Sequence, residues 1–308
     1  MTHYRRLLLG ALTLVLGALF IISCRRTARV GFTEVDLKNL PTCDYLVVDY
    51  PLSVTVHVGA QTAVAFDEKM PKRIREDIEV KVKDNILLIS SRHERTGVDP
   101  FDDVQRGKSA HIDVYLPKLL GVEATYAANI SVPDSLRQPS FSVVLSGASD
   151  LTDLRLTADS LSVSTAGASG IRGWVNVAKS LEIISSGASS IRLSGQADYL
   201  SVSLSGACDF RAEQLHTRAV EALLAGASRL DLGNVDTISY GVSGASNLRY
   251  QGQPVVIGQG EGLQAELDGG RGQLIGLVGP IEEGVGGVGV ELGIAVSTGH
   301  DYGWHLER

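Results

Sequence analysis

Cysteine is scarce in this chain, which has only Cys24, Cys43 and Cys208. A disulfide-dense scaffold is therefore excluded, and the two thiols beyond Cys24 lie too far apart in sequence to argue a pair. Aromatic residues are few, at 6%, and cations fall short of anions, with 28 Lys and Arg against 35 Asp and Glu and a formal charge of -7. Nucleic-acid binding needs a concentrated cationic face to replace counterions, so that class of partner is set aside. No glycine-rich turn opens a helical pattern with the lysine that a phosphate loop uses. No Ser, His and Asp set stands on a nucleophile elbow either. What remains is 44% hydrophobic and carries 34 glycines in 308 residues, enough for a folded chain with unusual backbone demands.

At the N-terminus Arg5 and Arg6 precede an apolar run from Leu7 to Ile22, followed by Ser23 and Cys24. That order of charge, apolar run and small residue is a secretory signal, and the run is short for a spanning helix. Ile21-Ile22-Ser23-Cys24 resembles a bacterial lipobox, which implies acylation of Cys24 and a membrane partner through the lipid. An uncleaved anchor helix would use the same residues and would also place the remainder outside the cytoplasm. Arg25 and Arg26 follow, rather than the acidic run of some surface-displayed lipoproteins. Anchoring to the outer membrane, on its periplasmic face or at the cell surface, is the expectation. The chain divides into a signal at 1–23, a linker at 24–42, an N-terminal β region at 43–120, repeats at 121–265 and a glycine-rich tail at 266–308 whose structure the sequence does not reveal.

The repeats are the dominant signal. Ser146-Gly147-Ala148-Ser149 recurs in near-identical form around Gly167, Gly187, Gly206, Gly226 and Gly244, at intervals of 20, 20, 19, 20 and 18 residues. Aligned on the glycine, the sixth residue before it is Phe141, Leu161, Leu181, Leu200, Val220 and Ile238, and the fourth before it is Val143, Val163, Ile183, Val202, Ala222 and Tyr240. Four residues after it stand Leu151, Ile171, Ile191, Phe210, Leu230 and Leu248. A period of two means strands with one buried face, so each copy reads as strand, bend, strand, turn. One such coil cannot bury its own apolar face, and the copies must stack in parallel at about 4.8 Å. The fold predicted is all-β, a parallel β-solenoid of about 20-residue coils with the N-terminal β region continuous with it. The Gly-Ala pair is expected to pack backbone against backbone, with the flanking serines satisfying bend amides.

With these residues in view, the chain resembles the head GIN domain of auto-transporter adhesins, a family of exported, mainly Bacteroidetes β-solenoid proteins. The resemblance runs over about residues 43 to 265 and includes the strand-like segments Tyr45 to Gly59, Ile78 to Ser90 and His111 to Pro117. Tyr126-Ala127-Ala128-Asn129 looks like a first copy without its glycine, and Gly260-Glu261-Gly262-Leu263 like a degenerate last one, as terminal coils often are. Within the N-terminal region Asp84-Asn85 separates two strands, Arg73 to Asp77 forms a helical turn after Pro71, and Thr96 to Gly107 is an exposed loop.

Candidate sites are sparse. Asp150 and Asp209 occupy the same turn column but lie three coils apart, about 14 Å, too far to divide acid and base roles. His300, Asp301 and His305, like Asp99, Asp102 and Asp103, lack metal-ligand spacing, so no metal, cofactor or catalytic residue is expected. Asp134-Ser135-Leu136, Asp159-Ser160-Leu161 and Asp236-Thr237-Ile238 resemble a short O-glycosylation sequon of periplasmic Bacteroidetes proteins. The most informative feature is a column five residues past the glycine: Arg172, Arg192 and Arg211 in consecutive coils, then Asp231, then Arg249. Alternation turns it outward, and like charges about 5 Å apart repel. Either acids such as Glu213 neutralise the column on a solvated face, or it is a ladder for an anionic polymer, since guanidinium groups grip carboxylate and phosphate in bidentate fashion.

The function expected is that of a non-enzymatic envelope lipoprotein, an adhesive or scaffolding solenoid that binds glycan or an envelope protein. A sensor or accessory module in envelope stress signalling is the alternative, with a carbohydrate-active enzyme third.

Overall fold

The computed structural model describes residues 33–34, 40–92, 110–260 and 265–267. The signal segment with Cys24, the acidic loop at 99–103, the copy around Gly262 and the histidines of the tail lie outside the described residues. Within them the chain is a stack of parallel β coils, a solenoid of about seven turns.

The N-terminal region holds β1 (Thr33–Glu34), β2 (Tyr45–Asp49), β3 (Ser53–Val58), β4 (Ala63–Phe66), the short helix α1 (Lys72–Asp77), β5 (Ile78–Lys83), β6 (Ile86–Ser91) and β7 (His111–Leu116). After it come β8 (Gly121–Ala124) and β9 (Asn129–Ser131). Sequence order and stacking order differ here. The β2–β3 coil lies in the middle, parallel to β6 and β7 on one side and to β8 and β9 on the other. Antiparallel strands then close the outer end, with β5 on β6 and β4 on β7. This covers an edge that would otherwise offer unpaired amides to another chain. Asp84 and Asn85, at φ 51° and 64°, make the tight turn between β5 and β6, as their position in the sequence predicts.

From β10 (Ser135–Leu145) onward each coil stacks on the last: β11 (Asp150–Thr165), β12 (Gly170–Gly187) and β13 (Ser190–Gly206) pair in register along almost their whole lengths. The later coils are β14 (Asp209–Ala212) with β15 (Leu215–Leu224), then β16 (Arg229–Val242), β17 (Asn247–Gln251), β18 (Val255–Gly260) and β19 (Ala265–Leu267). Register irregularities at Leu151/Leu154 and Ala158/Ser160 divide the coil into three paired segments, not two. The stretch read as turn, such as Gly173 to Val177, is a third strand segment paired with Leu154 to Ala158. Its alternation is hidden in the sequence because Asp153, at φ 60°, bulges and shifts the count by one residue.

The bend follows the expected logic closely. The Ala168 N–H donates to Gly147 O at 2.7 Å, and Ala188, Ala207, Ala227 and Ala245 repeat the bond to the glycine carbonyl one coil below. All six repeat glycines have φ between 71° and 94°, and a Cβ on any of them would stand 2.4–2.6 Å from the carbonyl oxygen beneath it. The serines act differently from the prediction: they mainly donate to carbonyls. Ser149, Ser169, Ser189 and Ser228 are buried, and each hydroxyl reaches the carbonyl three residues back at 2.9–3.1 Å. Cys208 takes the same place, its thiol 3.2 Å from Ser205 O. Both Cys43 and Cys208 are free and buried, and burial, helped by Asp44, pushes the Cys43 thiol up to about 11. The core is a continuous file of Val, Leu and Ile, interrupted where Thr165 donates to Ser185 at 2.7 Å, an internal bond that satisfies a polar pair inside.

Candidate functional site

Among the described residues, outward files along the stack are surfaces that the fold repeats, and they differ sharply in charge. At the corner that follows the third segment, before the first strand of the next coil, Lys179 Nζ meets Asp159 at 2.9 Å and Arg218 grips Asp198 with two bonds of 2.6 and 2.8 Å, each across one coil. Asp236 continues this file and acts on Arg218 from the next coil. The corner thus alternates in sign at every step, which is how stacked charges at about 5 Å stabilise one another. Two of the sequon-like aspartates, Asp159 and Asp236, belong to this ladder, and the third, Asp134, accepts from the Val58 N–H at 2.8 Å.

The arginine file breaks that rule. Arg172 pairs in register with Arg192, and Arg192 with Arg211. Arg172 and Arg192 are exposed, and neither forms an ion pair with a described residue. Arg211 is different, half-buried and held by Asp209 at 3.0 Å. Above it Asp231 is buried at 7% exposure, between Arg211 and Arg249 in register. Burial pushes the Asp231 carboxyl above the usual range, with Arg229 and Arg249 pulling it back. Arg211, Asp231 and Arg249 therefore form a charge-compensated block, and the cationic part of the predicted ladder is Arg172 with Arg192. Asp150 and Asp209 stand three register steps apart through Gly170 and Ser190. Among the described residues no group of three His, Cys, Asp or Glu side chains is placed to hold a metal ion.

The third strand segment carries residues that the repeat alignment passed over. Trp174 is 46% exposed and pairs in register with Arg155 below and Ser194 above. Trp174 and Arg155, with Ser135, Leu136 and Thr157, line an open depression of about 400 Å³. Gly195 makes room for the indole: a Cβ there would lie 3.2 Å from Trp174 Nε1. Trp174 is two residues from Arg172 on the same strand, so groove and arginine file adjoin. The signal that could have revealed it is an aromatic at an outward position in a chain with so few.

Known proteins place this geometry. A crystal structure of a putative adhesin from Parabacteroides merdae superposes with a TM-score of 0.63 at 13% identity, over 78% of this chain and 96% of that one. A putative adhesin from Bacteroides fragilis matches with a TM-score of 0.52 at 20% identity, over 73% and 92%. A putative lipid binding protein from Parabacteroides distasonis matches with 0.60 at 13% identity, over 77% and 95%. No curated protein matches in sequence. The family model described as "Putative auto-transporter adhesin, head GIN domain" matches residues 45–177 and again 155–254. The overlap is what a repeat produces when one coil aligns with several, and on this match the chain belongs to the head GIN domain family of putative auto-transporter adhesins.

Proposed function

We propose that this protein is a lipid-anchored adhesin of the outer membrane whose Arg172–Arg192 file binds the carboxylate or phosphate groups of an anionic glycan or lipopolysaccharide. One observation carries the reading: Arg172 and Arg192 are register neighbours, exposed and unbridged, in a fold that alternates charge at its corner file. Like charges so placed repel, and two guanidinium groups about 5 Å apart match an anionic repeat better than they match each other. Stability alone gives no reason for them. The lipobox-like Ile21 to Cys24 supports envelope anchoring, and the lipid-binding name of one structural neighbour is consistent with an amphiphilic anionic ligand.

A glycan array probed at low and at high salt tests the proposal. Acidic glycans should be retained over neutral ones and lost as salt rises, because screening acts on exposed charges. Retention of neutral glycans alone, indifferent to salt, would remove the arginine file from the function.

A further inference from the structure

We propose that Trp174 and Arg155 form a stacking subsite for a uronic-acid-type saccharide ring, immediately beside the arginine file. The proposal rests on the reading of that file as a glycan contact and adds the place where a sugar ring sits. Leaving an indole 46% exposed keeps apolar area in water that the fold had ample core to bury. Trp174 Nε1 would stand 3.2 Å from a Cβ on Gly195, a position that the Val175 carbonyl oxygen, at 2.0 Å, already closes to any side chain. Around the indole the surface is polar and equipped for hydroxyl groups: Thr157 and Ser135 in the groove, and the Asn176 and Gln196 amides joined at 2.8 Å at its edge.

The size and chemistry favour a saccharide over a protein partner. A protein hot spot is an aromatic within a broad desolvated patch, whereas this indole shares a depression of about 400 Å³ with three polar side chains and a single leucine, Leu136, within the size range of small-ligand sites. Arg155 sits in register beneath Trp174, exposed and without an ion pair to any described residue. A ring stacked on the indole therefore has a guanidinium beside it for a carboxylate. Arg172, two residues along the strand, would meet the acid of an adjoining sugar.

Tryptophan fluorescence reads this directly, because the chain has two tryptophans and changing the second, Trp304, to Phe leaves Trp174 as the single indole emitter. Galacturonate oligosaccharides are titrated into the full chain carrying Trp304→Phe, with neutral galactose oligosaccharides as the comparison. Saturable change in Trp174 emission is expected with the acidic series. Calorimetric titration of the same oligosaccharides reads the variants that lack the indole, and there Trp174→Ala should weaken binding about tenfold, which is about 1.4 kcal/mol. Trp174→Phe should retain most of it, and Arg155→Gln should erase the preference for acidic over neutral oligosaccharide. Unchanged melting of each variant shows that the fold is intact. Absence of any binding, equal binding of both series by the unmutated groove, or unchanged affinity in Trp174→Ala overturns the subsite. If Arg172→Gln with Arg192→Gln abolishes binding while Trp174→Ala does not, the arginine file stands and the stacking subsite falls. The reverse pattern retains the subsite and removes the file.

Discussion

The Gly167 carbonyl oxygen accepts the Ala188 N–H at 2.7 Å, and a Cβ on Gly187 would stand 2.6 Å from that same oxygen. The bond that joins two coils at the bend thus excludes a side chain on the residue that makes the bend. Gly187→Ala should cost about 2–5 kcal/mol, from a left-handed conformation at φ 86° together with overpacking against backbone. Tyr126 occupies the equivalent place in the first coil at φ 63° with a full side chain, half-exposed. Tyr126→Gly should therefore change stability by no more than about 1 kcal/mol. Denaturant midpoints compare the two, and equal losses would mean that the contact to the coil below does not govern the glycine.

Asp231 gives the arginine file a pH signature. Its carboxyl titrates above the ordinary range, mainly through burial and against the pull of Arg229 and Arg249. A raised folded value means that protonation favours the fold, so this contribution is present below the unfolded pKa and is lost as pH rises through the folded one. Relative to Asp231→Asn, the unmodified protein should gain stability as pH falls from about 7 to about 4. Glu123, raised by burial and by Asp49, shifts both proteins alike and cancels in the difference. Urea midpoints across that window check the sign, and a difference that moves the other way contradicts the burial argument.

Much of this architecture was legible in the sequence because a solenoid writes its core as columns. The positions six and four before each glycine and four after it are buried in every full coil, from Phe141 to Ile238 and from Leu151 to Leu248. The third strand segment was not legible, for two physical reasons. The bulge at Asp153 offsets its pairs, and Gly173 and Gly195 stand in it where another coil has a buried Leu or Val. Trp174 was hidden by that same offset. The N-terminal stacking order was also invisible, since placing β2 between β6 and β8 depends on long-range pairing that local alternation does not encode. In the site, the arginine column was readable by counting, but its division into an unbridged pair and a compensated block required Asp209 and the buried Asp231.

Anchoring is tested at Cys24. Cys24→Ala should abolish acylation and release the protein from membranes, because the acyl chains supply the binding energy. Fractionation after a high-salt wash reads the outcome. A variant that still pellets with membrane shows that the apolar run from Leu7 to Ile22 serves as an uncleaved helix.

The most direct test of the central claim is a calorimetric titration of an acidic glycan, or of lipopolysaccharide, into the protein and into the Arg172→Gln, Arg192→Gln double variant. Both side chains are exposed and unbridged, so the variant should fold with its stability within about 1 kcal/mol of the original, or slightly above it as repulsion is relieved. Affinity should fall by at least about tenfold, and the steep weakening with added salt should largely vanish. A variant that folds normally and binds with the original affinity and salt dependence contradicts the assignment of the Arg172–Arg192 file as the ligand-binding surface.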